Sequence, residues 1–598
     1  MDEGRVDKLG LTGFSRSVNP MRRERFKDIP FLGFDTEYAG GGKDLLSFQL
    51  AGARGSRFVP LARGRGLRLP ELWKAAVSLL EEEPEEILLI AYFSPAELQF
   101  FDVAGNGFNV REYSRGSLDA SFMVKPGRCL TVFDLARWYD GQSLAKAAES
   151  IGLDKLPWNR RKITRATLRV PGFARYAVND AELAYRLFDS LRAEFKVKAG
   201  VDMLGALTPA SASAQAFRRL HVKRKLFCDC NAARRAALLG TWGGRAEVFE
   251  RGDLGEGFAE YDIKSAYPRS AVALCQLPIQ GSWRSARKLS DLDRARGGFV
   301  HILFDFPAGE RFPCIPVWTG TLLLYPLSGR AWCTVEEARA ALEAGARLRL
   351  LEGWTYRTGS GALADFMERA LEERGKAKGA AKTLWKLLSN SLIGKFAQAI
   401  SRVPLGEYWR LAEEGGFLLD ELFELTPDEL QALGARQVVS VGPVFMPEWN
   451  GLITGFTRAT LSRMLRAARR PVYCHTDSIW AKGLAGTFAL PYEIKERGAV
   501  KVVRTRFGSL GSHIAHHSVW NLRAAAQMLK RFDGSDFLRK YPIVRPLRVR
   551  EALRHGLRPC VWVKEWRAAN CKWDFKRKLL PDGSTRPWKD IEEFSLDR

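Results

Sequence analysis

Two short acidic segments, far apart in the chain, constrain its fold more than any other feature. The first is Tyr261-Asp-Ile-Lys-Ser-Ala-Tyr-Pro268. Phe258 to Ile263 reads as a short strand and Pro268 takes the chain out of it, which leaves Asp262 at a strand end. The second is Tyr473-Cys-His-Thr-Asp-Ser478, where Val472 to Ile479 reads as two β segments meeting at a polar turn. Bringing Asp262 and Asp477 onto adjacent strands sets two carboxylates against each other, which a divalent cation between them would relieve. An in-line phosphoryl transfer needs two oxygen-ligated Mg²⁺ ions, one at the attacking hydroxyl and one at the leaving pyrophosphate. Ser265 and Tyr267 follow in the turn, placed to meet whatever the metal carries. A strand-end Asp by itself is more often a solvated cap, so the pairing with Asp477 carries the weight.

The chain has 598 residues and a formal net charge of +25, with a pI near 9.8. That length implies several domains or one large enzyme of several subdomains. A hydrophobic content of 46% with 17 Trp and 35 Phe excludes a disordered protein. The positive charge is spread along the chain rather than gathered in a tail, which suits extended grooves that follow a phosphate backbone. The nine cysteines are scattered, Cys228-x-Cys230 is the one close pair, and no zinc spacing occurs, so reduced thiols are expected. No apolar run reaches membrane-spanning length and the opening Met1-Asp-Glu-Gly-Arg lacks an apolar signal region. The expected setting is a bacterial or viral-host cytoplasm, with no membrane partner.

Residues 1 to about 28 read as a loose basic arm. Strand patterns at Phe31 to Tyr38, Leu45 to Ala51 and Glu86 to Tyr92 alternate with helical ones at Leu72 to Leu80, Leu144 to Ile151 and Phe173 to Leu191. That alternation predicts an α/β unit over 1–205. Leu207 to Gln215 reads as a linker within a junction over 206–245. A mixed unit follows over 246–484, with helices at Thr334 to Glu343, Leu363 to Glu373 and Ala380 to Ile400. The last stretch, 485–598, is basic, Trp-rich and weakly patterned.

Within the first unit, Asp35-Thr-Glu37 places two carboxylates on one face of a strand, and Tyr176 and Asp180 share one face of a helix. A two-metal hydrolase needs three or four carboxylates and a phenol or base to orient water. Within the second unit, Lys382, Lys386 and Asn390 share a helix face, with Arg374, Lys376 and Lys378 upstream. Such a face suits a triphosphate, although a solvated basic helix is the blander reading.

In order and spacing, Tyr261 to Pro268, Lys386 to Gly394 and Tyr473 to Ser478 resemble the three polymerase motifs of the family B DNA polymerases. The resemblance is to the protein-primed subgroup, the replicases of phages, adenovirus and linear plasmids, and covers nearly the whole chain. It implies a ribonuclease H-like 3′–5′ exonuclease domain followed by a right-hand polymerase of palm, fingers and thumb, an α/β and α+β multidomain fold. By position it makes Asp262 and Asp477 catalytic metal ligands. Arg374, Lys382 and Lys386 neutralise the triphosphate, Ser265 and Asn390 help bind the nucleotide, and Tyr267 excludes a ribose 2′-OH. Ser478 and Tyr473 support the turn and the primer terminus. Trp242-Gly-Gly-Arg245 resembles the motif that binds single-stranded template between the two sites, and Thr454-x-x-Thr-Arg458 resembles a template-contacting motif.

In the exonuclease, the resemblance makes Asp35, Glu37 and Asp180 metal ligands, with Tyr176 and the Lys155-Leu-Pro-Trp158 lysine in support. Glu97 stands where the family offers an Asp, with Asp102 as the fallback. Two departures lie in the polymerase: His475 replaces the first Asp of the third motif, which bears on metal preference and rate, and Ile393 replaces a Tyr, which bears on fidelity. Subgroup inserts are expected near 280–330 and 403–447, and the thumb over 485–598. The thumb's primer-gripping motif is not clear, and His516 and His517 read as a surface turn. The implied partners are primer–template DNA, deoxynucleoside triphosphates and a terminal protein, with Mg²⁺ or Mn²⁺ as cofactor and the chain a monomer. A primer-independent polymerase, a catalytically impaired DNA-binding homologue, and an enzyme whose main activity is the exonuclease are the competing readings.

Overall fold

A computed structural model of the chain describes residues 18, 28–39, 44–101, 108–112, 118–139, 141–159, 162–206, 208–402, 405–416, 422, 427–436, 438–516, 522–547 and 562–597. Most of the N-terminal arm, Asp102, His517 and part of the second expected insert lie outside them.

The first unit is built on a seven-stranded sheet of β1 (Phe31–Ala39), β2 (Asp44–Gly52), β3 (Gly55–Pro60), β4 (Glu86–Ala91), β5 (Phe108–Glu112), β6 (Leu118–Lys125) and β7 (Arg128–Asp134). Its order is β3-β2-β1-β4-β7-β6-β5, parallel where β4 meets β1 and β7 and antiparallel elsewhere. Helix α1 (Leu69–Val77), the short α2 (Ser94–Leu98), α3 (Leu144–Glu149) and α4 (Phe173–Glu194) surround it. α4 crosses β1 at Gly33, where a Cβ would fall 1.9 Å from the Ala181 carbonyl oxygen. That contact lets the strand carrying Asp35 and Glu37 lie directly under the helix carrying Asp180.

The expected linker contains a helix instead. Thr208 accepts a hydrogen bond from the Ser211 amide and Pro209 stands in the first turn of α5 (Pro209–Leu220). Its small residues, Ala212, Ser213, Ala214 and Ala216, are buried. A composition of Ala, Ser and Pro reads as a linker, yet the same small side chains permit close helix packing. Helix α6 (Asn231–Gly240) follows.

The second unit centres on another seven-stranded sheet. Its strands are β8 (Arg245–Val248), β9 (Gly252–Ile263), β18 (Ala468–Thr476), β19 (Ser478–Leu484), β20 (Tyr492–Arg504), β21 (Phe507–Leu510) and β22 (His513–His516), in the order β22-β21-β20-β9-β19-β18-β8. The sheet therefore runs past residue 484, the boundary expected from the sequence. β20 pairs along the whole of β9, and its charged sequence hides the strand because its exposed positions are Glu, Lys and Arg.

Helix α7 (Ala266–Leu274) leaves β9. An antiparallel sheet of β10 (Trp283–Ala286), β11 (Gly297–Asp305), β14 (Ser328–Thr334) and β15 (Arg347–Tyr356) then fills the first expected insert and runs past 330. A small hairpin, β12 (Val317–Trp318) and β13 (Leu323–Leu324), and helix α8 (Val335–Glu343) lie within it. Thr334 and Glu337 form the capping box of α8. Helices α9 (Ala362–Lys376) and α10 (Gly379–Phe396), the hairpin β16 (Ala399–Arg402) with β17 (Val438–Val441), and the buried α11 (Pro447–Ala467) complete the route back to β18. After the sheet, α12 (Leu522–Arg531) and the hairpin β23 (Leu538–Pro546) with β24 (Trp562–Asn570) form the C-terminal part. The largest apolar core joins both units: Phe188 of α4, Phe217 of α5, Leu384 and Trp385 of α10, and Trp449 of α11 belong to it.

Candidate active sites

β9 lies between β19 and β20, and this order brings the two acidic segments together. Asp262 stands opposite Ser478 on one side and Glu493 on the other, and the Ile263 amide donates to the Asp477 carbonyl at 2.8 Å. Asp477 occupies the one-residue turn between β18 and β19. Burial and the nearby Asp262 charge push its carboxyl up to about 7. Burial also raises Asp262, even though Lys495 Nζ sits 2.7 Å from Asp262 Oδ2. A buried Asp262 whose charge disfavours ionisation of the neighbouring Asp477 fits a divalent cation as the missing charge. Two residues beside these aspartates hold left-handed backbone although they are not glycine, Ser265 (φ 49°) and Thr476 (φ 62°), a strain that clusters at functional sites.

Three of the residues expected to bind the nucleotide, Ser265, Tyr267 and Arg374, lie beside these aspartates. Arg374 of α9 donates from Nη1 to Ser265 Oγ at 3.1 Å. Tyr267 is largely buried, and burial together with the Asp477 charge raises its phenol. On α10, Lys382 and Asn390 are exposed and Lys386 is half-buried, while Ile393 is packed in the core. His475 is half-buried opposite Ser478 at the mouth of the turn.

Four side chains expected to touch DNA face inward instead. Arg458 is 1% exposed, pairs with Glu337 at 2.8 Å, and donates to the carbonyls of Trp242 (2.5 Å) and Gly243 (2.9 Å). Arg245 is fully buried on Glu247 and Ser462. Tyr473 packs at a tilt against Trp480, its hydroxyl accepting from the Arg506 amide, and Thr454 is buried within α11. These residues shape the loop rather than offer it to a strand, since a buried guanidinium needs partners of its own. What remains on the surface is Gly243, with Trp242 half-buried and stacked on Trp318. Gly244 presses on Thr476, its would-be Cβ 2.8 Å from the Thr476 side chain, so this loop buttresses the Asp477 turn.

In the first unit, Asp35, Glu37 and Asp180 each present an oxygen within 4.8 Å of the others. Asp35 Oδ2 is buried without a hydrogen-bond partner. Burial, then the charges of Glu97, Asp180 and Glu37, hold its carboxyl well above the usual range. An orphaned acidic oxygen amid three further carboxylates fits a divalent cation. Glu97, on α2, lies outside the close trio and accepts from the Thr36 hydroxyl. Lys155 pairs with Asp180. Tyr176 does not line the cleft: it is packed behind Lys155, stacked on Trp158 with ring centroids 5.2 Å apart.

The sequence reading missed three residues. Lys495 pairs with Asp262, and His513 Nδ1 lies 3.0 Å from Glu260 on the same strand. Thr36, between the two exonuclease-motif acids, orients Glu97. Alternation along Tyr492–Arg504 was the available signal for Lys495, but charge on both faces obscured it.

The fold is the mixed α/β and α+β multidomain one of a right-hand polymerase with an N-terminal ribonuclease H-like unit. The family description "DNA polymerase type B, organellar and viral" matches residues 133–411. The primer-independent DNA polymerase PolB of Escherichia coli is 26% identical over 376 residues, 55% of this chain and 41% of that protein. The DNA-directed DNA polymerase of Enterobacteria phage PRD1 is 28% identical over 269 residues, 43% of this chain and 45% of that protein. The matched stretches thus span less than half of each relative. Phi29 DNA polymerase, in complex with primer-template DNA and incoming nucleotide, shares the fold over 91% of this chain and 100% of its own, with a TM-score of 0.60 at 15% identity. Over residues 133–411 the chain is thus similar to the type B DNA polymerases, the family its three ordered motifs resemble.

Proposed function

We propose that the protein is a DNA-directed DNA polymerase carrying a 3′–5′ exonuclease. The observation that carries this reading is the meeting of Asp262 and Asp477 on neighbouring strands beside Tyr267 and the Arg374–Ser265 contact. Asp262 and Asp477 would hold Mg²⁺, which when bound supplies activation of the attacking 3′-hydroxyl and charge for the departing pyrophosphate. Arg374, Lys382 and Lys386 bind the triphosphate, and Ser265 and Asn390 orient it. Ser478 holds the turn through its hydrogen bond to the His475 carbonyl. The Tyr267 ring closes the space a ribose 2′-hydroxyl would need. In the nuclease cleft, Asp35, Glu37 and Asp180 would hold the same class of ion. Lys155 pairs with Asp180 and holds it in place, Glu97 supports Asp35, and Tyr176 holds Lys155 against its ring. Trp242, Gly243 and Gly244 form the template-side loop, braced by Arg245, Arg458 and Thr454, with Tyr473 fixing the strand behind.

Replacing Asp35 and Glu37 together by Ala should abolish removal of unpaired 3′ nucleotides and spare primer extension; persistent degradation would misplace the nuclease site.

Initiation has two readings. The motif resemblance to the protein-primed subgroup supports priming by a terminal protein in a phage, plasmid or mobile element, whereas similarity to the primer-independent PolB supports synthesis without any primer. Template and nucleotides alone decide: product without added primer or protein favours the second, and product only with a terminal protein the first.

A further inference from the structure

The nuclease cleft, about 1150 Å³, is not built from the first unit alone. Asp35, Glu37 and Asp180 lie in it, with Tyr92 and Phe93 along one side. Residues of α5 and α10 complete the lining, among them Leu387 and Ser391. Helix α10 is fixed in that position at two points. At its first residue, Gly379 (φ 52°) lies so close to the first unit that a Cβ would stand 1.9 Å from the Ser150 carbonyl oxygen, and no side chain can be accommodated. Midway along, the Ser213 hydroxyl of α5 donates to the Leu388 carbonyl.

Helical geometry then divides the duties of α10. Lys382, Lys386 and Asn390 form one row, and Thr383, Leu387 and Ser391 the next, about 100° round the axis. The first row is the cationic one proposed for the triphosphate. The second carries no charge and presents an apolar side chain and a hydroxyl to the carboxylate cleft. An unpaired strand entering such a cleft offers base faces, which seek apolar and aromatic surface, and polar base edges, which a hydroxyl can bond.

We infer that Leu387 and Ser391 are binding determinants for the unpaired 3′ strand, so that the helix bearing the nucleotide-binding row also forms part of the nuclease site. This rests on the exonuclease reading above. The test measures degradation of a single-stranded oligonucleotide by the full-length protein with Leu387→Ala, Ser391→Ala and the pair, beside Asp35→Ala. We expect KM for the oligonucleotide to rise at least about fivefold in the double variant with kcat little changed, and the ratio of exonuclease to primer-extension activity at low substrate to fall in step. Leu387→Met, which keeps apolar bulk, should restore most of the KM. Anisotropy of a labelled oligonucleotide on the Asp35→Ala background, without divalent metal, should report the same weakening. Unchanged KM and affinity, while Asp35→Ala abolishes degradation, would overturn the inference alone. Degradation that survives Asp35→Ala would overturn the nuclease reading and this inference with it. A loss of kcat at unchanged KM would assign α10 a merely structural role and also overturn it.

Discussion

Asp262 and Asp477 are adjacent because β9 and β19 pair in a register that sets Asp262 against Ser478, one residue past Asp477. Both acids were legible in the sequence, since a strand ending at a proline turn and a second strand pair with an acidic turn are local patterns. Lys495 was not, because nothing local tells which strand β20 will join. Its ammonium at 2.7 Å partly neutralises Asp262 and competes with a divalent cation for the same oxygens. Lys495→Ala should therefore tighten Mn²⁺ binding at this site several-fold, measured by titration on an Asp35→Ala, Glu37→Ala background; unchanged or weaker binding would contradict the competition. His513 adds a pH-dependent term. Its hydrogen bond to Glu260 raises its folded pKa, so the stabilisation is complete below the unfolded value near 6.5 and fades as pH rises through the folded one. His513 is half-exposed although Glu260 is buried, so solvent screening limits the pair to at most about 1 kcal/mol. Melting temperatures of the wild type and His513→Gln should accordingly differ at pH 6 and converge by pH 9.

Elements place the side chains that residues alone could not. Helix α4 lies on β1 at Gly33, where the obstacle to any larger residue is the backbone of Ala181, which no rotamer change can move. Gly33→Ala should destabilise the first unit by about 2 to 3 kcal/mol and reduce degradation of unpaired 3′ ends more than primer extension, a difference visible in thermal melting and paired assays. Such close approaches have no sequence signature beyond a lone glycine in a strand. Helices α8, α9 and α10 were legible from their period, whereas α5 hid behind linker-like composition and β20 behind its charges. The inward turn of Arg245, Arg458 and Tyr473 was also illegible, because the distant partners that hold them, Ser462, Glu337 and Trp480, are known only once the second sheet, α8 and α11 are assembled.

Across the whole molecule, a continuous apolar core ties the nuclease-like unit to the polymerase helices, and a formal charge of +25 surrounds two clusters of acids. On the proposed function the acids would confine divalent cations while the basic surface gathers phosphate backbone. Affinity for primer–template DNA should consequently fall by more than about a hundredfold between roughly 50 and 200 mM salt, measured by anisotropy; a flat profile would mean that few phosphates are contacted. The central claim is that Asp262 and Asp477 act as one site in nucleotidyl transfer. Single-turnover incorporation of one correct deoxynucleotide onto a paired primer, by Asp262→Asn and Asp477→Asn, tests it most directly. Each substitution should slow incorporation by at least about a thousandfold while primer–template affinity changes little. Incorporation by either variant at near the wild-type rate would contradict it.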